Sequence, residues 1–201
     1  MEKVDTHSQL VAAAAAVIDD HGEGAVRLRD LAETVGVREP SIYHHFSNRG
    51  ALIEAAQIHR FRRDQEEMLE LFEQMAESVA TEADFYRIVR EMLVYVYSPD
   101  RFQRRISRSN IIGSADSHPE LLKELGEAQY EVTKALSEIF ANAQQHGWIR
   151  QEIDPLMTAA WALGQGFGRI IAEIDAEHLN DAAWNRVATD AVIAVLRGCP
   201  D

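Results

Sequence analysis

The 201-residue chain has one cysteine, Cys199, which rules out an internal disulfide framework and any cysteine-based zinc cluster and suits a reducing cytoplasm. It also lacks an apolar run long enough for a membrane. LVAAAAAVI, Leu10 to Ile18, is far short of the roughly 20 residues needed to span a bilayer. Glu2, Asp5, Asp19 and Asp20 flank that run with only Lys3 on the basic side, so it is a poor signal peptide and reads as a core helix. No membrane partner is expected. Positive charge is scarce: 20 Lys and Arg against 33 Asp and Glu leave a formal net charge of −13, which sets the chain as a whole against polyanions. No strand signal survives inspection. Met92 to Tyr97 is the best candidate, but Phe85, Val89, Met92 and Val96 carry one helical stripe through it. There is no internal repeat and no low-complexity tract.

Sites for catalysis are missing too. No nucleophile–base spacing, phosphate loop or zinc pattern is present, and none of the eight histidines has another four residues away. GQGFG, Gly164 to Gly168, follows no strand and sits inside an apolar helical pattern, so it is not a phosphate cradle. No catalytic residue, metal ligand or cofactor is assigned, and the chain is not expected to be an enzyme. A helical enzyme whose catalytic residues lie far apart in sequence ranks last among the readings.

With 46% hydrophobic and 26% charged residues, the chain has the composition of an ordinary globular protein, and helical periodicity without a strand signal reads as all-α. Helical spacing and breakers predict helices over Thr6–Asp20, Leu28–Val35, Glu39–His45, Gly50–Glu77, Glu82–Tyr97, Arg101–Ile112, Pro119–His146, Pro155–Glu177 and Asp181–Arg197. The fourth changes character midway. A polar stretch, His59 to Glu67, separates its start from Met68, Leu69, Phe72 and Met75, as in a helix that connects two domains. The charge divides along the same line: residues 1–63 hold 8 basic and 9 acidic residues, and residues 64–201 hold 12 and 24. An acidic body with a near-neutral head can still bind a polyanion through the head.

The head contains the informative stretch, GVREPSIYHHFSNRGAL, Gly36 to Leu52. Gly36 allows a tight turn between the second and third helices. Ile42 and Phe46 anchor the third helix inward, while Arg38, Ser41, Tyr43, His44 and His45 project outward, which is the layout of a helix-turn-helix. LRDLA, then GV, then IYHHF, then RGAL resemble the DNA-binding signature of the TetR family of bacterial transcriptional regulators over about residues 7–60.

That resemblance implies an N-terminal three-helix bundle with a helix-turn-helix, joined by a long helix to a larger helical ligand-binding and dimerisation domain. Residues 1–50 would form the DNA-binding domain and residues 51–201 the effector-binding and dimerisation domain, with the boundary inside helix 4. It also implies roles. Tyr43 stands at the family tyrosine that holds a backbone phosphate, and Arg49 and Ser41 stand at further phosphate positions. His44 and His45 fall where phosphate or bases are touched, Glu39 and Pro40 at first-turn base contacts, and Arg29 near the groove edge. Two departures are Arg27 and Arg38, where the family commonly has Thr or Ser caps. Losing such a cap costs about 0.5–2 kcal/mol, and either arginine can compensate by reaching phosphate. Double-stranded DNA, a second copy of the chain and a small-molecule effector are the partners the resemblance implies. A DNA-binding regulator without an effector, or an activator, is the alternative.

The C-terminal two-thirds is less explicit. Candidate pocket residues are Phe85, Met92, Tyr95, Phe102, Arg105, Tyr130, Trp148, Trp161 and Phe167, though aromatics and Met at helical spacing are core residues by default. Arg101, Arg104, Arg105 and Arg108 share one helical face, either solvated and paired with the acidic body or docking an anionic effector group. The last two helices are apolar on more than one side. Trp161, Gly164, Phe167, Gly168 and Ile171 form one stripe, and Trp184, Val187, Ala188, Ala191, Val192 and Val195 another. Such helices need two partners: one is their own core, and the other is either a second copy of the chain or the far side of the same core.

Overall fold

The first helix, α1 (Thr6–His21), ends where Gly22 takes φ 78°, and a 3-10 turn over Glu23–Ala25 leads on to α2 (Leu28–Val35). α2 stops at Gly36, whose φ of 78° and ψ of 29° lie in the left-handed region that side chains disfavour. Neither Arg27 before α2 nor Arg38 before α3 caps its helix with its side chain. The structure is a computed structural model that describes residues 5–175 and 177–198; Glu2, Lys3 and Cys199 lie outside the described residues.

The α-helical part of α3 is only Glu39–Ile42, shorter than the spacing predicts. Tyr43, His44 and His45 continue it as a turn, because the Ile42 carbonyl accepts from both the His45 and the Phe46 amides, at 2.9 Å each. That doubly used carbonyl tightens the last turn and brings Phe46 back to the core beside Ile42. Asn48 then caps α4 (Arg49–Ser78), its Oδ1 accepting from the Ala51 amide at 3.0 Å. The remaining helices are α5 (Glu82–Val96), α6 (Phe102–Ser114), α7 (Pro119–Gln145), α8 (Pro155–Glu173) and α9 (Asp181–Arg197). Among the described residues there is no strand, and no helix is long and apolar enough to cross a membrane.

Three hydrophobic cores lie along α4, a helix about 45 Å long by its residue rise. Leu52 and Ala56 close the first core, with Leu10, Ala14 and Ile18 of α1, Leu31 of α2, and Ile42 and Phe46. Phe61 joins a small second core with Ile111 and Ala115 and with Leu121, Leu125 and Ala128 of α7. Met68, Phe72 and Met75 enter the third and largest core, with α5, α7, α8 and α9. Burial of one stripe per segment, rather than propensity, is what holds so long a helix straight through two units.

Candidate functional site

The outer face of the helix-turn-helix carries a set of exposed side chains, several of which make no side-chain hydrogen bond or ion pair among the described residues. Tyr43 is 55% exposed, and Arg38, Glu39, Pro40, His44 and His45 are exposed around it, with Ser41 half-buried. Arg38, Tyr43 and His44 make no side-chain hydrogen bond or ion pair among the described residues. Donors that face solvent in this way can bind phosphate oxygens without first breaking an internal bond. His45 lies edge-on to His7 at 6.2 Å, and His7 stacks on Phe46 at 4.7 Å. The α1 residue His7 therefore adjoins the same surface; nothing in its local spacing signals this, because Phe46 reaches it only through the fold.

Three arginines differ from the others. Arg49 is turned away from phosphate duty: its Nε donates to the Val26 carbonyl at 3.0 Å and its Nη2 to the Glu23 carbonyl. The Glu23 carbonyl closes the 3-10 turn by accepting from the Val26 amide at 3.2 Å, and Arg49 donates to it as well as to the Val26 carbonyl. Arg27 donates to the Gly24 carbonyl at 2.8 Å, and Arg29 pairs loosely with Glu33 at 3.6 Å, both exposed.

At the junction with the body, Arg60 of α4 is buried and makes bonds to three elements. Its Nε meets Asp19 of α1 at 2.7 Å, its Nη1 meets Gln57 at 2.6 Å, and its Nη2 meets Ser107 of α6 at 2.6 Å. Arg63 also holds Asp19, at 3.0 Å. Burial pushes the Asp19 carboxyl up, but the hydrogen bonds and charges of Arg60 and Arg63 more than offset that and leave it below its ordinary value.

Inside the body, a cavity of about 130 Å³ lies among α4, α5, α6, α7, α8 and α9. Met68, Phe72, Val89, Leu93 and Phe140 make its apolar wall, and Arg101, Arg104, Arg105, Arg108 and Asp64 its polar side. The basic face of α6 is thus not a solvated stripe. Arg105 is buried and forks onto Glu173 of α8, and Arg101 and Arg104 converge on Glu67 of α4. Burial raises the Glu67 carboxyl, but bonds from Arg101, Tyr95 and Arg104 outweigh it and bring its pKa to about 2. Arg108 has no carboxylate within ion-pair distance among the described residues, only the amide oxygens of Gln65 and Gln129.

Of the expected pocket residues, Met92, Arg105 and Phe167 line this cavity. Phe85 and Trp148 instead pack 6.3 Å apart and line a second hollow of about 370 Å³ between α4, α5 and α7, because Phe85 sits at the far end of the α5 stripe. Phe72 borders both hollows. Tyr95, Tyr130 and Trp161 fall on outward faces of α5, α7 and α8, and Phe102 is half-buried outside the lining. Phe72, Tyr97 and Asp64 were missed: the α4 stripe reads as plain core, and nothing local marks Tyr97 or Asp64 as facing a void.

The two apolar stripes on α8 and α9 split between roles. Ala188 and Val192 are buried with Leu196 in the main core, so they are not available to a partner. Trp184 is half-buried, edge-on to Tyr97 at 5.1 Å, and Val195 is half-buried; a Cβ at Gly168 would meet the Trp184 ring in ordinary contact. Phe167 turns toward the cavity, though it keeps 40% exposure. Trp161, Gly164, Ile171, Val187 and Ala191 remain on the outer surface, joined by Met157 and Ile174. Ile171, Ile174 and Val187 are 66%, 70% and 70% exposed.

Residues 10–56 match the model of the bacterial regulatory proteins, tetR family. Over 178 residues, 89% of this chain and 86% of the relative, the sequence is 24% identical to the HTH-type transcriptional regulator UidR of Escherichia coli strain K12. The fold is similar to that of Salmonella enterica GusR, with a TM-score of 0.71, 21% identity and coverage of 98% and 97% of the two chains. It is also similar to that of the regulator FadR from Bacillus subtilis in complex with stearoyl-CoA, with a TM-score of 0.63, 17% identity and coverage of 95% and 100%.

Proposed function

We infer, from this chain's membership of the TetR family of bacterial regulatory proteins, a family of DNA-binding transcriptional regulators, that it acts as a homodimeric repressor released from a palindromic operator by a small molecule. The observation that carries the reading is the group of exposed side chains on the helix-turn-helix, Arg38, Tyr43 and His44, with no internal partner. A two-fold pair would set two such faces about 34–36 Å apart, one turn of duplex. The outward apolar stripe of α8 and α9 supports that pairing. The cavity in the body supports an effector, and FadR, a neighbour of the same fold, holds stearoyl-CoA. A regulator without an effector has no need of such a space.

The release step needs a ligand that binds the two conformations unequally. The cavity touches α4 through Met68 and Phe72 and α6 through Arg105 and Arg108. Arg60 ties those same two helices to Asp19 of α1. Any shift of α6 against α4 therefore strains a bond that reaches the DNA-binding unit, and so changes the spacing of the paired recognition faces.

Fluorescence anisotropy on duplexes from upstream of the coding sequence tests the DNA face. The chain should bind a palindromic duplex, and Arg38→Ala combined with Tyr43→Phe should weaken binding about tenfold or more on every duplex, since phosphate contacts carry no sequence information. A double variant that binds as tightly as the parent would sink the assignment.

A further inference from the structure

The wall of the body cavity contains two buried donors without an acceptor, the Tyr97 hydroxyl and the Arg108 Nε. Tyr97 is 1% exposed and edge-on to Trp184, and its hydroxyl is buried without a hydrogen-bond partner among the described residues. Native interiors rarely leave such groups unpaired, because each costs its full desolvation. The charges point the same way. Four arginines border the cavity; Glu67 is shared by Arg101 and Arg104, and Glu173 takes Arg105 and also faces Arg169 at 3.7 Å. Asp64, a carboxylate in the lining, lies in the field of Arg104, Arg63 and Arg101 and also acts on Arg108 through space, without forming an ion pair with it. The groups in contact with Arg108 are neutral: Gln65 at 3.4 Å, Gln129, and the rings of Phe61 at 5.1 Å and Phe167 at 6.0 Å. Burial holds its guanidinium below the usual arginine range, the mark of a desolvated cation short of a counter-charge.

From these side chains we infer that the cavity binds a small amphipathic monocarboxylate, its apolar body against Phe72, Leu93 and Phe140 and its anionic head on Arg108 and the Tyr97 hydroxyl. The inference rests on the reading of the chain as an effector-responsive regulator and names the class of effector. Four arginines against Glu67, Glu173 and Asp64 leave one positive charge in excess, which suits a monoanion rather than a phosphate dianion. The volume of about 130 Å³ is close to that of cavities, of order 150 Å³, that hold a single benzene ring, so the apolar body is compact. A carboxylate oxygen can accept from either orphaned donor, which neither an ammonium group nor a hydrocarbon can.

Isothermal titration of the full-length protein tests this with phenylacetate, phenylacetamide, phenethylamine, phenyl phosphate and the straight-chain carboxylates from acetate to decanoate. At least one carboxylate should bind, with its amide about 10- to 100-fold weaker and the amine silent, as a charge-assisted bond in a dry site predicts. Arg108→Met should bring acid and amide to equal affinity, and Tyr97→Phe should weaken the acid about 3- to 10-fold. The charge series on the parent protein stands even if a variant fails to fold. Binding by none of the carboxylates, or an amide, amine or phosphate ester that binds as tightly, overturns the inference. Anisotropy on the operator duplex separates this from the reading beneath it. Carboxylates that bind with the stated charge preference yet leave duplex affinity unchanged defeat ligand release and leave the site standing. Release by a neutral or cationic compound alone defeats the site and leaves ligand release standing.

Discussion

Arg49 illustrates how one side chain can satisfy a family pattern and still serve another purpose. By resemblance it belongs to the phosphate contacts, yet its guanidinium bridges the Val26 and Glu23 carbonyls across the turn that joins α1 to α2. Those carbonyls lie some two dozen positions from it, |i−j| being 23 and 26, so no local spacing reveals the bond. Hydrogen bonds from a charged donor contribute about 1.5–3 kcal/mol, and the stability of the N-terminal unit should reflect that. Arg49→Ala should therefore lower the melting temperature while leaving the salt dependence of DNA affinity nearly unchanged. Arg38→Ala should do the reverse, reducing the slope of log affinity against log salt by about 1 with little effect on melting, since its side chain makes no internal bond. Thermal unfolding together with a salt titration of duplex binding measures both. An Arg49→Ala protein with parental melting and a reduced slope would return that residue to the phosphate set.

Helix limits were largely legible because their signals are local. Gly22 and Gly36 at positive φ, Asn48 at the start of α4, and Pro119 and Pro155 in first turns all act within a few residues. The extent of α3 was not, because the double use of the Ile42 carbonyl depends on Phe46 packing against α1. Nor was the direction in which α6 faces. Its arginines look like a solvated stripe until Glu67 and Glu173, 37 and 68 positions away, are brought to them. On α8 and α9 the apolar positions were legible but their division was not: Ala188 and Val192 went to the core, and Ile171 and Val187 stayed outside. Exposed aliphatic side chains at that density are what a second helix pair would cover. Ile171→Glu with Val187→Glu should leave the monomer fold intact, because neither position is buried in the chain. It should turn a dimer into a monomer in sedimentation velocity, and duplex affinity should fall steeply as the second half-site contact is lost. A double variant that sediments like the parent would move the interface elsewhere.

At the scale of the molecule, charge and connectivity serve the same end. The 12 negative charges in excess on residues 64–201 would repel a polyanion from the body, while residues 1–63 are near neutral and carry the exposed cations of the proposed DNA face. Among what joins the two are the small core around Phe61 and the bonds that Arg60 makes to Asp19 of α1 and Ser107 of α6. A stiff α4 alone would carry rotation but would not fix α1 against α6, and Arg60 supplies that fixation. Replacing it with leucine leaves Ser107 without its donor and Asp19 with Arg63 alone. The junction should lose about 1–3 kcal/mol, a few degrees in melting temperature for a chain of this length. Because each unit keeps its own core, the loss should appear as decoupling: one calorimetric transition in the parent, and in Arg60→Leu an earlier transition from the N-terminal unit followed by that of the body. Acid should act in the same direction. The Asp19 carboxyl is held below its ordinary value of 3.8, so its contribution is complete above that pH and is lost as pH falls through the lowered value. A variant that melts in one transition at the parental temperature would show that the Phe61 core holds the units together by itself, and that the route from cavity to DNA face does not pass through Arg60.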